Sequence, residues 1–129
     1  MTSHGPRNYR DLIAWQAAIQ LASDAEGVCN RLPRRRWKLI EQMRESARSV
    51  HANIAEGNGR SSTRDYLRFL AMSKGSLQEL QGDLLDLRRA NPDDKPIQTA
   101  LNRTYIVEKL LVRLMEALER KRDQDDEAA

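Results

Sequence analysis

Arg31, Arg34, Arg35, Arg36 and Lys38 place five positive charges within eight residues. Guanidinium groups grip phosphate in a two-point fork, and a run of basic residues gains affinity for a nucleic-acid backbone by releasing its counterions. Arg60, Arg64 and Arg68 follow at four-residue spacing, which lines one side of a helix. A solvated helix end accounts for either cluster as readily. Trp37, between Arg36 and Lys38, can stack on a base or pack at an oligomer interface. The candidate nucleic-acid contacts are therefore Arg34, Arg35, Arg36, Lys38, Arg64 and Arg68.

The string from Asn53 to Ser62 carries two glycines around Asn58 and invites comparison with a phosphate-cradling loop. It fails as one, because no strand precedes it and no Gly-Lys-Ser/Thr follows. A helix end followed by a helix start is the simpler reading, with Glu56 in reach of Arg60 and Asn53 on the same face as Glu56. Gly75 and Ser76, further on, fall in mid-helix, where a glycine costs roughly 1 kcal/mol and so marks the close approach of another element. Glu79 sits between apolar positions and would need Arg44, Arg48 or Asn53 as partner. Asn53, Glu56, Gly57, Arg60, Gly75, Ser76 and Glu79 are accordingly assigned to the fold.

Catalysis finds little support. His4 and His51 are the only histidines, the first in an N-terminus expected to be flexible and the second on a helix. Di-iron bundles need Glu-x-x-His on two helices, and this chain has no such pair, so no metal, cofactor or catalytic residue is expected. The serines lack a histidine and carboxylate at usable spacing. Cys29 is alone, forms no intrachain disulfide, and reads as core filler.

The elements that position these residues follow from composition and punctuation. In 129 residues there are 22 Lys plus Arg against 19 Asp plus Glu, a net +3. Residues 123–129 hold four acids and no base, so the rest carries 22 bases against 15 acids, or +7, and the acidic run could shield the basic clusters. Arginine outnumbers lysine 17 to 5, a bias that phosphate binding and a GC-rich genome explain equally well. No stretch approaches the ~20 apolar residues of a membrane span, and Met1 to Arg10 has no apolar signal core. A cytoplasmic location, with no membrane association, is the expectation.

Helix-favouring residues dominate, and Pro and Gly divide the chain into four segments. The first helix is expected from about Asp11, as N-cap, to Arg31, with Leu12, Trp15, Ile19, Ala22 and Cys29 inward. The second runs from Arg35 to Glu56 on Ile40, Met43, Ala47, Val50 and Ile54, with Gly57 and Gly59 available for a left-handed cap. The third follows Ser62 and Asp65, which have capping-box spacing, and buries Tyr66, Leu70, Ser73, Leu77, Leu80, Leu84 and Leu87. The fourth runs from about Asp94 to Lys121 on Ile97, Leu101, Thr104, Val107, Leu111, Leu114 and Leu118. These segments describe an all-α protein, an antiparallel up-down-up-down four-helix bundle over residues 11–122, between a flexible N-terminus (1–10) and an acidic disordered tail (123–129). Ile13, Trp37, Leu39, Leu67, Phe69, Ile106 and Leu110 lie off the stripes, and a homo-oligomer would cover them.

Three blocks make the chain recognisable. Tyr9-Arg10-Asp11-Leu12-Ile13-Ala14-Trp15-Gln16-Ala17-Ala18 opens it, Gln42-Met43-Arg44 leads to Ser49-Val50-His51-Ala52-Asn53-Ile54-Ala55-Glu56-Gly57, and Phe69-Leu70 leads to Gly75-Ser76-Leu77-Gln78-Glu79-Leu80. In that order and spacing they resemble the four-helix-bundle family named after the intervening sequences of bacterial 23S ribosomal RNA, over Tyr9 to about Leu87. The resemblance implies a homopentameric ring with no known catalytic activity. Its relatives include the accessory proteins of diversity-generating retroelements, basic pentamers that bind nucleic acid and a reverse transcriptase. Glu45 and Ser46 stand where the family commonly has Arg-Ala, His51 where it has Pro, and Ser73 where it has Ala. Glu45 removes a positive charge from the transferred RNA-binding role.

The combined expectation is a non-enzymatic homopentamer that binds RNA or another nucleic acid through its Arg-rich patches. The alternative is a scaffold that recruits a partner protein such as a polymerase and has no nucleic-acid role.

Overall fold

The computed structural model describes residues 8–128. Expectations for the first seven residues, His4 included, lie outside them. The described residues form four α-helices: α1 (Ile13–Cys29), α2 (Trp37–Asn58), α3 (Thr63–Ala90) and α4 (Lys95–Ala128). Short 3-10 turns, Tyr9–Asp11 and Arg34–Arg36, lead into α1 and α2. Each helix packs on its neighbours in sequence, and α1 also packs on α4, which encloses one core in the manner of a bundle.

Local chemistry sets the helix boundaries. The Asn8 side chain accepts from Arg10 N–H at 2.9 Å, and Tyr9 packs edge-on against Trp15 with centroids 5.2 Å apart. Residues 8–10, expected to be flexible, are held by these contacts. Asp11 belongs to the 3-10 turn, and α1 starts one residue after Leu12, which caps it without a side-chain bond. Ser62 accepts from Asp65 N–H at 3.1 Å, which is half of a capping box. The Asp65 carboxylate turns to Arg68 instead. Asp94 caps α4 by accepting from Ile97 N–H at 3.1 Å, and Pro96 falls in the first turn, where its missing N–H is harmless.

The core faces of α3 and α4 match the expected stripes, except that Leu114 is half-buried and Ala100 joins the interior. Helix α2 buries Met43, Ala47, Val50 and Ile54, with Ile40 at the edge. Helix α1 is rotated from the expected stripe. Its buried face is Ala14, Ala18, Leu21, Ala25, Val28 and Cys29, while Trp15 and Ala22 are half-buried and Ile19 is exposed. Three alanines carry much of the buried face, and the bulky Trp15 and Ile19 line a groove between α1 and α2.

Two expectations about glycine are corrected. Helix α2 continues through Gly57 to Asn58, and Gly59, its C-cap, has an ordinary right-handed φ of −81°. The value of Gly57 is space, since a Cβ there would lie 2.9 Å from Phe69 Cβ and 2.9 Å from Tyr66 Cδ1. Gly75 has nothing within 4 Å of an added Cβ, so the close approach of α2 and α3 falls at Gly57 and not there. A third correction concerns the acidic run. Residues 123–128 continue α4 as helix, supported by Arg64–Asp126 at 2.7 Å and Lys121–Asp125 at 3.3 Å.

Gly57→Ala is expected to destabilise the fold by about 1–3 kcal/mol, as overpacking does. Gly75→Ala should leave it unchanged or add up to about 1 kcal/mol. Thermal melts of the two variants give opposite signs on this account, and equal losses would refute it.

Candidate nucleic-acid interface

The six candidate contacts fall into two groups at opposite ends of α2. Arg34, Arg35 and Arg36 form the 3-10 turn before the helix, and Lys38 lies in its first turn. All four are exposed, and among the described residues none is paired with an acid. The first turn of α2 contains no acidic residue, and its N-cap makes no side-chain bond. Cations thus gather where the helix dipole is already positive, an arrangement that favours a bound anion. Trp37 is 55% exposed beside them, with Lys38 Nζ 5.6 Å from its ring centroid. Arg31, in the same basic stretch, is committed to Asp94 at 2.8 Å and 63 residues away. That pair holds the Asp94 carboxyl below the usual carboxylate range.

The second group is neutralised from within. Arg64 pairs with Asp126 at 2.7 Å, and Arg68 pairs with Asp65 at 2.9 Å. Arg60, which precedes α3 in the connection, pairs with Glu56 at 2.7 Å. Its guanidinium carbon lies 4.6 Å from the Phe69 ring centroid, and that of Arg68 lies 4.8 Å from the same ring. Phe69, expected as an off-stripe apolar residue, is therefore a cation–π platform for two arginines.

Of the residues assigned to the fold, Asn53, Gly57 and Ser76 lie along the α2–α3 seam, while Gly75 faces open space. Asn53 donates to the Ser49 carbonyl and hydroxyl at 2.9 Å each, and the Ser76 hydroxyl donates to Ser49 Oγ at 2.7 Å. Ser49, absent from the sequence-based set, joins the two helices. So do Ser73, whose buried hydroxyl donates to the Val50 carbonyl at 2.7 Å, and Asn58, which donates to the buried Tyr66 hydroxyl at 3.2 Å. Glu79 departs from expectation. It is exposed, while Arg44 is engaged by Glu26 at 2.8 Å and Asn53 by Ser49. Glu45, also exposed, approaches Arg48 at 4.0 Å.

His51 is half-buried in an α1–α2 groove with Tyr9, Trp15 and Ile19. Burial and, secondly, the charge of Arg48 push its pKa down. The buried Cys29 donates weakly to the Ile40 carbonyl at 3.8 Å, and burial pushes its thiol up. It stays protonated and unreactive. Among the described residues, no group of three or more His, Cys, Asp and Glu could hold a metal ion. None of the described helices is long and apolar enough to cross a membrane.

Fold and surface together define a small all-α protein with one self-neutralised basic cluster and one unpaired one. The family model of the 23S rRNA-intervening sequence protein matches residues 10–120, and the chain belongs to that family. No curated protein matches it.

The depressed His51 pKa has a sign that can be checked. The unfolded chain protonates this ring near its ordinary value of 6.5, and the folded chain does so only at lower pH. The associated stability is complete above about pH 6.5 and is lost as pH falls through the folded pKa. His51→Gln should flatten the fall in melting temperature between about pH 7 and 5, and an unchanged profile would contradict this assignment.

Proposed function

We propose that this protein is a non-enzymatic, homopentameric, antiparallel up-down-up-down four-helix bundle that binds RNA through Arg34, Arg35, Arg36 and Lys38. The observation that carries the reading is the unpaired state of these four cations at the positive end of α2. An intrinsically unfavourable cluster of like charge becomes favourable once phosphates occupy it. Arg64 and Arg68 are secondary contacts in this reading, since each must first leave its acid.

The antiparallel course is supported by pairings in which ascending positions on one helix meet descending positions on the next. Gln42 meets Asp83 and Ser49 meets Ser76, Glu26 meets Arg44 and Cys29 meets Ile40, and Gln81 meets Glu108 while Arg64 meets Asp126. Assembly is supported by the large apolar residues left on the surface, Ile13 at 68% exposure, Trp37 at 55% and Ile106 at 50% foremost, and by the family. Of the other off-stripe residues, Leu39, Leu67 and Leu110 pack against the core and need no partner. The RNA role is supported by the family's name. Five copies would carry a formal +15, which raises the field at each patch.

Fluorescence anisotropy with a structured RNA tests the binding. Affinity should fall with salt at a log–log slope of roughly −3 for about four neutralised phosphates. Arg34/Arg35/Arg36→Glu should abolish it, whereas Arg64→Glu should have a smaller effect. No binding at low salt, or binding that survives the triple variant, overturns the reading. Light scattering should give five copies of 14.8 kDa, about 74 kDa. A monomeric mass would rule out the pentamer.

A further inference from the structure

The α1–α2 connection and the α3–α4 connection enclose a cleft of about 360 Å³. Its lining is mixed, with Leu32 and Pro33 in front of the nearly buried Val28, Leu87 and Ile97, and with Arg31, Arg35, Arg36, Asn91 and the Asp94 carboxylate around them. We propose that this cleft takes one unpaired nucleotide of an RNA strand, the base stacked on the Arg31 guanidinium beside Leu32 and the phosphate on Arg35 and Arg36. The inference rests on the RNA reading above and adds to it the kind of RNA selected.

Four features of the cleft suit a nucleotide. The volume falls within the ~300–1,000 Å³ of small-molecule sites. Arg31, in its wall, is fixed by Asp94 at 2.8 Å, so a planar guanidinium is held ready for a base to stack on. Asn91 spends an amide N–H on the Leu87 carbonyl at 3.0 Å and keeps its oxygen as an acceptor for a base edge. The cations that would meet the phosphate, Arg35 and Arg36, are in no ion pair among the described residues, while the Asp94 carboxylate in the same lining is already held by Arg31. A fully paired helix presents phosphates to such a mouth but cannot place a base inside, whereas a bulged nucleotide is already out of the stack.

Two labelled RNA hairpins that differ only by one bulged nucleotide provide the test, with the full chain and anisotropy as readout. The wild type should bind the bulged hairpin roughly tenfold more tightly, within the range of one stacked base. Leu32→Trp, which fills the cleft, should bring the ratio to one and leave affinity for the paired hairpin unchanged. Equal affinity of the wild type for both hairpins, or a preference that survives Leu32→Trp, overturns the cleft while the Arg-based reading stands. Failure to bind either hairpin overturns both. Should Leu32→Trp fail to fold, methyl NMR of the wild type decides. Shifts at Val28, Leu32, Leu87 and Ile97 with the bulged hairpin alone support the cleft, and their absence refutes it.

Discussion

The contact on which the rest of the molecule depends is the approach of α2 to α3 at Gly57. With no side chain there, Phe69 Cβ and Tyr66 Cδ1 occupy the space a Cβ would need. That spacing brings three buried or half-buried polar groups to their partners: Tyr66 to Asn58, Ser73 to the Val50 carbonyl and Ser76 to Ser49. Each would cost about 1–3 kcal/mol if stranded without a partner. A slip of one residue between the helices would strand them together, so the seam specifies register as well as proximity. Register in turn decides which side chains meet at the ends of the helices. Arg31, in the connection before α2, reaches Asp94, in the connection after α3, across the ends of the two helices that this seam aligns.

The same composition yields two different electrostatic outcomes. Around the start of α3, every arginine of the Arg60, Arg64 and Arg68 series finds an acid, and two of them also stack on Phe69. Exposed pairs of this kind contribute little stability individually, but they reduce the outward field of the patch. At the start of α2 the opposite holds. Three consecutive arginines and a lysine stand at the positive end of a 22-residue helix with no acid in its first turn. A purely structural sequence would have an N-cap acceptor and an acidic residue there, each worth a few tenths to about 1 kcal/mol. Their absence is a local cost in stability, and it leaves the positive end of the helix without a neutralising group of its own.

Much of this was legible in the sequence. The stripes of α3 and α4 alternate large apolar residues at helical spacing, and such residues are buried wherever the spacing holds. Helix α1 misled because its interior face is carried by Ala14, Ala18 and Ala25, whose weak apolar signal loses to Trp15 and Ile19 on the flank. Glycine misled for another reason. Gly57 and Gly75 look equivalent within α2 and α3, and only what lies opposite distinguishes them. The basic clusters were visible as clusters, and the short-range pairs Glu56–Arg60 and Asp65–Arg68 follow from their spacing. Arg64–Asp126 spans 62 residues and depends on the length of α4. No local pattern encodes it, nor the cleft formed by two distant connections.

That last pair changes how the net charge should be understood. A flexible acidic tail could reach either basic cluster and lower the field of both. Held as the last turns of α4, its acids are engaged with Arg64 and Lys121, beside the start of α3. The Arg34–Arg36 turn lies at the other end of α2, and 22 helical residues correspond to roughly 33 Å. Several Debye lengths of about 8 Å fit into that distance at physiological salt. The acidic run therefore neutralises the cluster it touches and leaves the other unscreened. A net charge of +3 therefore understates the charge at the start of α2, because the carboxylates of the acidic run are too far away to offset it, leaving only Asp83, Asp86 and Asp94 in the clefts beside Arg36.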